Sequence, residues 1–377
     1  MVMSMRSIFV RKYHQSGRLF ALVASALLLL TFASGASAAI TVTDMKGRQV
    51  SLPKPAQRLV IDDGRMIIAL GFLTDDPVSM IAAWPHDIDR FGRELYADYQ
   101  KRFPQIDTLP KSTSNAQDMA VEQVLAGHPD AVVLSVFSHP AEEQLKQLEK
   151  AGIPVIFVDF VTSPLKNTDI SLQILGAITG REQQAQRVVA LRQQHRALIA
   201  QRVQDVAVSD KPSVFLEPHA STQEACCNSP GGAGIGTFID FAGARNIGDI
   251  LKGKPSGQLG TEYILASKPD VYIATGGEYM KSRGGLLVGP RFDAQTTNLS
   301  LQQLLERPGF SALPAAQHHA VHGFSQQLFN SPLDILALEL IAKWSHPKRL
   351  ADLDTEATRR SLNALSAVPL SGLYWTE

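Results

Sequence analysis

Cysteine is almost missing from this chain of 377 residues, and its two cysteines, Cys226 and Cys227, are adjacent. Neighbouring cysteines cannot link distant parts of one chain, so the disulfide framework that supports many small secreted domains is excluded. The pair can form a local disulfide, remain reduced, or contact a ligand or a metal. Among these alternatives we favour a local structural pair.

An excess of charge of either sign is also missing, because 36 basic residues balance 36 acidic ones. This balance gives no indication of nucleic acid or an anionic membrane as a partner. Hydrophobic residues make up 45% of the chain and charged residues 19%, which is ordinary for a globular protein. The length is sufficient for two domains.

Motifs of several enzyme classes are missing as well. The chain contains no Gly-x-Ser-x-Gly nucleophile elbow, no P-loop and no zinc-protease motif. The adjacent cysteines lack the two-residue spacer of thioredoxin-like sites, so a redox enzyme that uses Cys226 and Cys227 is only a remote alternative. We therefore expect a protein that is not an enzyme.

The first 38 residues have the pattern of a secretory signal peptide. An apolar run at residues 19–33 is followed by small residues that match a cleavage site near Ala38. The run is short and is broken by Ser25 and Thr31, which argues against a retained membrane anchor. Cleavage leaves 32 basic against 36 acidic residues, and we expect an exported protein. The basic residues before the run are Arg6, Arg11, Lys12 and Arg18.

The longest predicted helix covers residues 182–206, which contain neither proline nor glycine. At about 1.5 Å per residue it is roughly as long as a domain is wide. Similar patterns lie on both sides of it, so we interpret it as a spine that joins two lobes and contacts no ligand. A stripe at alternating spacings of three and four residues is expected to face the interior: Val188, Leu191, His195, Leu198 and Arg202.

Short apolar strands alternate with helices on both sides of this spine, which predicts α/β lobes with mainly parallel sheets. A β-hairpin is predicted at residues 40–52. Further strands are predicted at residues 58–61, 78–82, 131–136, 155–158, 214–217, 271–275 and 320–324. Helices are predicted at residues 66–70, 91–101, 120–126, 141–151, 165–179, 238–242, 334–344 and 355–365. Ligands gather at strand ends in such sheets, so residues just past these ends are candidates for a binding site.

One segment of the chain occurs twice, because residues 119–135 align with residues 259–275 without a gap. Glu122 aligns with Glu262, and a Leu-Ala pair and a Pro-Asp pair match as well. Each copy consists of a short helix, a Pro-Asp turn and a buried strand. Two copies on opposite sides of the spine indicate paired lobes rather than a solenoid.

These segments resemble a known family, the periplasmic binding proteins of iron-siderophore, haem and cobalamin importers. The resemblance rests on TDMKGRQVSLP at residues 43–53, on the two Glu-x-x-Leu-Ala-x-x-Pro-Asp units, and on FAGARNI at residues 241–247. It covers essentially the whole chain after the signal peptide. It implies two α/β lobes, each with a mainly parallel sheet flanked by helices, bridged by a single long helix. The implied division is a signal peptide (1–38), an N-terminal lobe (39–180), a connecting helix (181–207) and a C-terminal lobe (208–377).

The resemblance also implies a monomeric periplasmic protein that holds its cargo between the lobes and delivers it to an ABC importer permease in the inner membrane. Small lobe movements are expected, because one rigid helix resists bending. Glu122 and Glu262 match the glutamates that dock onto permease arginines in this family, where paired charges fix orientation. Either glutamate could instead serve only the first turn of its helix.

The cargo implied by the resemblance is a ferric siderophore, with no intrinsic cofactor or resident metal. Haem and cobalamin are alternatives, as is direct binding of zinc or manganese. A cleft for such cargo needs aromatic side chains with a few cations and hydrogen-bond donors. The residues chosen for it are Arg65, Trp84, Phe137, His139, His219, Cys226, Cys227, Tyr279, Arg283 and Phe324.

Two further segments are expected to take part in the cleft. Residues 324–330 follow a strand and are expected to close a wall, and the glycine-rich residues 229–236 precede a helix whose free N–H groups could receive an anion. Direct metal binding would need converging histidines, but no histidine-rich loop and no His-Glu-x-x-His motif is present. The histidines considered for it are His86, His139, His219, His318, His319 and His322.

Overall fold

Two parallel four-stranded sheets, one in each half of the chain, organise the described part of the protein. The predicted signal peptide, residues 1–38, lies outside the described residues, and residues 40–377 form one compact unit. The residues described by the computed structural model are 39–88, 93–112, 119, 121–223 and 226–377.

The predicted hairpin is present as the antiparallel pair of β1 (Ile40–Thr43) and β2 (Gln49–Leu52). The N-terminal sheet contains β3 (Leu59–Ile61), β4 (Ile81–Ala83), β5 (Ala131–Ser135) and β6 (Val155–Val158). Its strands are all parallel, in the order β4-β3-β5-β6. Strand β4 begins later than predicted, because the residues before it form a turn of 3₁₀-helix.

The described residues of the C-terminal half form six strands. They are β7 (Ser213–Glu217), β8 (Asn228–Ser229), β9 (Arg245–Asn246), β10 (Gly257–Gln258), β11 (Val271–Gly276) and β12 (Val321–Ser325). Four of them form a parallel sheet in the order β12-β11-β7-β9, and β8 pairs with β10. Strand β6 is continuously apolar and buried, and β5 and β11 are largely so, as expected for parallel sheets covered on both faces.

Twelve helices flank these sheets in the described residues, and none of them is both long and apolar enough to cross a membrane. Helix α9 was not predicted, although Asp293 caps its first turn by accepting a hydrogen bond from the Thr296 N–H at 2.7 Å. The helices are α1 (Met66–Gly71), α2 (Glu94–Arg102), α3 (Val121–Ala126), α4 (Glu142–Lys150), α5 (Pro164–Thr179), α6 (Glu182–Val203), α7 (Gly236–Phe241), α8 (Thr261–Ser267), α9 (Ala294–Leu304), α10 (Pro314–Gln317), α11 (Asp334–Ser345) and α12 (Thr355–Asn363).

The two sheets repeat one topology, since β9-β7-β11-β12 has the strand order of β4-β3-β5-β6. The Pro-Asp turns of the sequence repeat have equivalent roles. Asp130 accepts a hydrogen bond from the Arg58 N–H at 3.0 Å, and Asp270 accepts one from the Ser213 N–H at 2.7 Å. Each aspartate thereby ties the start of one strand to its neighbour, so the sequence repeat is a repeat of structure.

The long helix α6 is confirmed, but its buried face differs from the predicted stripe. Val188 is buried as predicted, whereas Leu191, His195, Leu198 and Arg202 are only partly buried. The helix ends at Val203. Its buried side chains belong to Ala185, Val188, Val189, Arg192, Ile199 and Val203.

Arg192 explains this shift, because it is drawn into the interior by carboxylates on two other helices. It is 1% exposed, and its Nε donates to Oδ1 of Asp169 in α5 at 2.7 Å. Its Nη1 pairs with Asp334 at the start of α11 and donates to the Pro332 carbonyl at 2.7 Å. Thr168 donates to the other oxygen of Asp334 at 3.0 Å. One guanidinium therefore joins α5, α6 and α11.

The C-terminal segment forms a second connection between the two halves. The Ala367 N–H donates to the Gly71 carbonyl at 2.7 Å, which ties the end of the chain to α1. The Ser325 N–H donates to the Tyr374 carbonyl at 2.7 Å, and a bridge joins Phe324 to Trp375. Buried residues of both halves share one hydrophobic cluster. The long helix is thus accompanied by a segment that contacts both sheets.

Replacing Arg192 by methionine should lower the free energy of unfolding by about 3–5 kcal/mol, because Asp169 and Asp334 would remain buried without their partner. Chemical denaturation followed by circular dichroism measures this loss. The matched control is Arg187→Met on the exposed side of the same helix, for which we expect a change within about 0.5 kcal/mol. Equal stability of the two variants would show that the buried ion pairs do not hold the helices together.

Candidate ligand-binding cleft

A cavity of about 370 Å³ lies between the two sheets, at the C-terminal ends of their strands. Phe137 follows β5 and Val161 follows β6, while His219 follows β7 and Phe329 follows β12. Loops at the carboxyl ends of parallel strands commonly form binding sites. Both sheets contribute these loops to the same cavity.

Neutral groups line this cavity. Asn228, Ser256, Gln326 and Asn330 supply amide and hydroxyl groups beside apolar residues, and Phe137 is 47% exposed. Among the described lining residues there is no carboxylate, lysine or arginine. The lining suits a ligand with aromatic or apolar surface and uncharged hydrogen-bonding groups.

A direct hydrogen bond closes one wall of the cavity, where the Gly234 N–H donates to the Thr162 carbonyl at 3.1 Å. Asp159 shapes this turn by accepting hydrogen bonds from the N–H groups of Val161 and Thr162, at 2.9 and 2.8 Å. Burial opposes ionisation of Asp159, but hydrogen bonds from Thr162 and Asn167 outweigh it and lower its pKa. The carboxylate thus holds a loop that joins the two halves.

Asp62 holds the loop that carries Phe137 in the same way. It accepts a hydrogen bond from the Ser135 N–H at 3.0 Å and another from the Ser138 hydroxyl. Burial raises the pKa of Asp62 to about 7, and the charge of nearby Asp63 contributes. The protonation of this half-buried side chain is therefore linked to the loop that presents Phe137 to the cavity.

On the opposite wall, His219 and Tyr279 form a polar pair. Nδ1 of His219 and the Tyr279 hydroxyl are 2.6 Å apart, with the rings in an edge-to-face arrangement. His219 has a left-handed backbone with φ of 55°, directly after the Pro218 that follows β7. This conformation turns the chain sharply at the strand end.

Cys226 and Cys227 form a disulfide next to a buried ion pair, in agreement with the favoured local pair. Arg307 forms a bidentate ion pair with Glu217, at 2.7 and 2.8 Å, and its Nη1 lies 3.6 Å from the Cys227 sulfur. The Tyr272 hydroxyl donates to Glu217 at 2.5 Å. The disulfide therefore helps to support the loop that leads to Asn228, which lines the cavity.

With its two cysteines oxidised to a disulfide, this cluster does not fit a metal ion. Donor atoms of Glu217, Cys226 and Cys227 lie within 4.8 Å of one another. The thiolate is the metal ligand of cysteine, however, and both sulfurs are taken by the disulfide. Arg307 also occupies the carboxylate of Glu217.

The histidines considered as alternative metal ligands serve other contacts. Nε2 of His86 lies 3.0 Å from the Leu109 carbonyl. His322 stacks on Trp344 with 4.6 Å between the ring centroids, and burial lowers its pKa to about 4. His318 and His319 are exposed.

Two aromatic residues chosen from the sequence belong to the core in this structure. Trp84 and Phe324 are both 0% exposed. Trp84 stacks on His86 at 4.5 Å, and Phe324 packs edge-to-face on Phe329 at 5.1 Å. Both rings are packed inside the hydrophobic core. Neither ring could contact a ligand without leaving the core. Position after a strand end does not reveal whether a ring points into the hydrophobic core or into the cleft.

Several charged and polar residues that were chosen from the sequence do not line the cavity. Arg65 pairs with the adjacent Asp63, with 2.5 Å between Nη2 and Oδ2. Arg283 has an exposed side chain, and its carbonyl accepts a hydrogen bond from Ser221 at 2.6 Å. His139 is exposed. Of the ten candidates, Phe137 and His219 line the cavity. Tyr279 lies behind His219 and contacts it.

The glycine-rich segment does not offer the expected anion site. The N–H of Gly234 is donated to the Thr162 carbonyl, that of Gly236 to Ala233, and that of Thr237 to Gly234. Gly236 is needed for close packing, because a β-carbon there would lie 1.7 Å from the Gly231 carbonyl oxygen. The segment instead forms part of the cavity wall.

Several lining residues were not chosen from the sequence. Gln326 directly follows β12 and Val161 lies shortly after β6, so the rule of strand ends could have found them. Ser256 comes from a loop before β10 and carried no such signal. The expected wall at residues 324–330 is present, although Gln326, Phe329 and Asn330 form it rather than Phe324.

Comparison with known proteins agrees with this geometry. A family model described as periplasmic binding protein matches residues 73–328, more than half of the chain. The chain belongs to the periplasmic binding protein family. The resemblance noted in the sequence, and the α/β fold expected from it, are thereby confirmed.

Individual members of the family are distant relatives with different ligands in their names. The vitamin B12-binding protein of Salmonella typhimurium is 28% identical over 221 residues, covering 55% of this chain and 74% of that protein. The molybdate-binding protein MolA of Haemophilus influenzae is 22% identical over 270 residues, covering 66% and 72%. The TroA-like periplasmic binding protein FepB from Veillonella parvula has the same fold, with a TM-score of 0.79 and 24% identity, covering 90% and 99%.

Replacing Asp62 by asparagine should change how stability depends on pH. Folded Asp62 has a pKa of about 7 against the usual 3.8, so it holds its proton more tightly when folded. The stability that protonation supplies is present below about pH 4 and is lost as the pH rises to about 7. Thermal unfolding should show Asp62→Asn gaining on the wild type over this window, by on the order of 2–4 kcal/mol at pH 8.

The control for this measurement is Asp75→Asn, which changes an exposed carboxylate in a loop. Its unfolding temperature should follow that of the wild type at every pH. A parallel pH dependence of Asp62→Asn and the wild type would mean that the pKa of Asp62 is the same in the folded and the unfolded protein.

Proposed function

We propose that this protein is the substrate-binding component of an ABC importer and that it captures a ferric siderophore in the cleft. The observation that carries this proposal is the cavity between the two sheets, with its exposed Phe137 and its neutral amide groups. Siderophore complexes present ring and amide surfaces, for which such a lining is suited. In this proposal the signal peptide directs the protein to the periplasm, and the cargo passes from the cleft to the permease.

Molybdate, zinc and manganese fit the cavity less well. Molybdate is a bare oxyanion, and the described lining has no lysine or arginine to pair with it. The N–H groups of Gly234, Gly236 and Thr237 are also taken. Zinc and manganese would need converging histidines, which the histidine contacts do not support.

Haem is a second candidate because of the His219–Tyr279 pair. Histidine and tyrosine are both axial ligands of haem iron in proteins. The 2.6 Å contact between Nδ1 and the hydroxyl would orient the tyrosine oxygen and support its ionisation on binding iron. The same pair can donate hydrogen bonds to a siderophore, so the two candidates are separated by titration.

Docking to the permease is assigned to Glu122 and Glu262. Both are exposed, and each lies in the first turn of its helix, α3 or α8. They occupy equivalent positions in the two copies of the repeated unit, so one carboxylate is presented by each half. Two separated charges can fix the orientation of the complex and speed its formation.

Replacing Phe137 by alanine should weaken binding of ferric siderophores roughly 10- to 100-fold, because an aromatic ring loses its contact with the cargo. Quenching of tryptophan fluorescence measures this in titrations with ferric hydroxamates and ferric catecholates. The control is Leu299→Ala, which removes an apolar side chain that is 53% exposed on α9. Both variants should retain the wild-type unfolding temperature within a few degrees.

The same titrations compare haem, vitamin B12, molybdate, zinc and manganese. Tight haem binding with a Soret band that shifts in Tyr279→Phe would replace the siderophore proposal by the haem candidate. Binding of siderophores that is equally strong in wild type and Phe137→Ala would place the cargo elsewhere.

Replacing Glu122 and Glu262 by alanine together should reduce transport in cells at least about ten-fold, while the affinity for cargo stays at the wild-type value. Uptake of radioactive iron as the siderophore complex gives the first quantity, and fluorescence titration gives the second. Glu143→Ala is the control, because Glu143 is exposed in the first turn of α4. Loss of affinity in the double variant would assign the glutamates to the cleft or the fold instead.

A further inference from the structure

Thr275, near the end of β11, joins the ends of three neighbouring strands through its hydroxyl group. The residue is 0% exposed and is not one of the described lining residues of the cavity. Its Oγ1 accepts a hydrogen bond from the His219 N–H at 3.1 Å, and its hydroxyl donates to Oε1 of Gln326. His219 follows β7 and Gln326 follows β12, the two strands that flank β11. One buried hydroxyl thereby connects two residues of the cavity wall.

These hydrogen bonds decide which end of the Gln326 amide faces Thr275. The His219 N–H can only donate, so it occupies a lone pair of Oγ1 and leaves the hydroxyl proton for a second partner. The amide oxygen of Gln326 can accept that proton, whereas the NH₂ group cannot. The opposite orientation of the amide would leave a buried hydroxyl proton without its acceptor, which is unfavourable.

The NH₂ group of Gln326 is consequently directed away from Thr275 and remains available to the cargo. Gln326 is 6% exposed and lines the cavity. Its Nε2 donates to no described residue, and it is not one of the fully enclosed atoms that lack a partner. The backbone is held as well, because the Phe329 N–H donates to the Gln326 carbonyl at 3.1 Å. A donor that is fixed in advance binds at a smaller entropic cost.

We propose that Gln326 donates a hydrogen bond from its amide NH₂ group to an oxygen atom of the cargo, and that Thr275 is the positioning residue that orients this amide. The inference rests on the proposed function and adds the kind of group that the cargo presents at this wall. That group is an acceptor, such as a carbonyl oxygen or an iron-bound oxygen of a hydroxamate or catecholate. A cargo with an N–H or ammonium group at the same point would face a donor and be rejected.

Variants of Gln326 test the donor in the whole mature protein, by quenching of tryptophan fluorescence with ferric hydroxamates and ferric catecholates. Gln326→Leu should weaken binding roughly 5- to 50-fold, because an acceptor on the cargo is buried without its donor. Gln326→Glu keeps an oxygen for Thr275 and replaces the donor by a second acceptor, so it should weaken binding at least as much. The control is Gln303→Leu on the exposed side of α9, which should bind like the wild type.

Variants of Thr275 test the positioning role. Thr275→Val removes the hydroxyl at nearly constant volume and should weaken binding roughly 3- to 10-fold, while Thr275→Ser should restore it. In a Gln326→Leu background, Thr275→Val should change the affinity by less than about two-fold, because no amide is left to orient. A merely structural role of Thr275 would instead give the same loss in both backgrounds.

Wild-type affinity in Gln326→Leu and Gln326→Glu would overturn the proposal, and equal losses from Thr275→Val in both backgrounds would overturn the role of Thr275. Gln326→Glu retains the bond to Thr275, so it decides the matter if Gln326→Leu fails to fold. A wild type that binds haem, vitamin B12 or molybdate but no siderophore would refute the proposed function alone. The same variants are then measured with that cargo, which also offers oxygen acceptors, and unchanged affinity would refute the donor. A wild type that binds none of these would refute both proposals.

Discussion

The buried guanidinium of Arg192 is the interaction on which the arrangement of the two halves depends. It lies in the long helix α6 and binds Asp169 of α5 and Asp334 of α11, one helix from each side. Charges buried in this way are very unfavourable when a partner is removed, so the three helices cannot separate independently. His195 supports the same junction by its contact with Glu339 at 2.5 Å. The helix is thus a rigid connection rather than a flexible linker.

This fixed junction lets a simple repeat generate the cleft. The two sheets have the same strand order, and both direct their strand ends toward the cavity. In the N-terminal half, the contributing turns are short and are held by the carboxylates of Asp62 and Asp159. The C-terminal half supplies most of the lining from longer loops, one of which is supported by Arg307 and the disulfide. Changes in those longer loops are the simplest way for relatives to bind different cargo.

Much of the fold could be predicted because the signals are local. Continuous apolar runs identified β5 and β6, and the absence of proline and glycine identified α6. The repeated Pro-Asp turns indicated two similar halves. Arg192 was missed because its burial depends on carboxylates 23 and 142 residues away along the chain, which no helical periodicity reveals.

The site was predicted less completely, for a related reason. Position after a strand correctly selected Phe137 and His219 for the cavity. The same rule selected Trp84, whose ring lies in the core. A strand end specifies where a residue is but not which way its side chain points. That direction is decided by packing between elements that are distant in sequence.

The bond between Ala367 and Gly71 has a consequence for the order in which the protein can assemble. Helix α1 is joined by this bond to a residue far along the chain, so the contact cannot form before that residue has been made. Contacts this far apart in sequence also slow folding. The packing between α1 and this segment therefore belongs to the late contacts of folding.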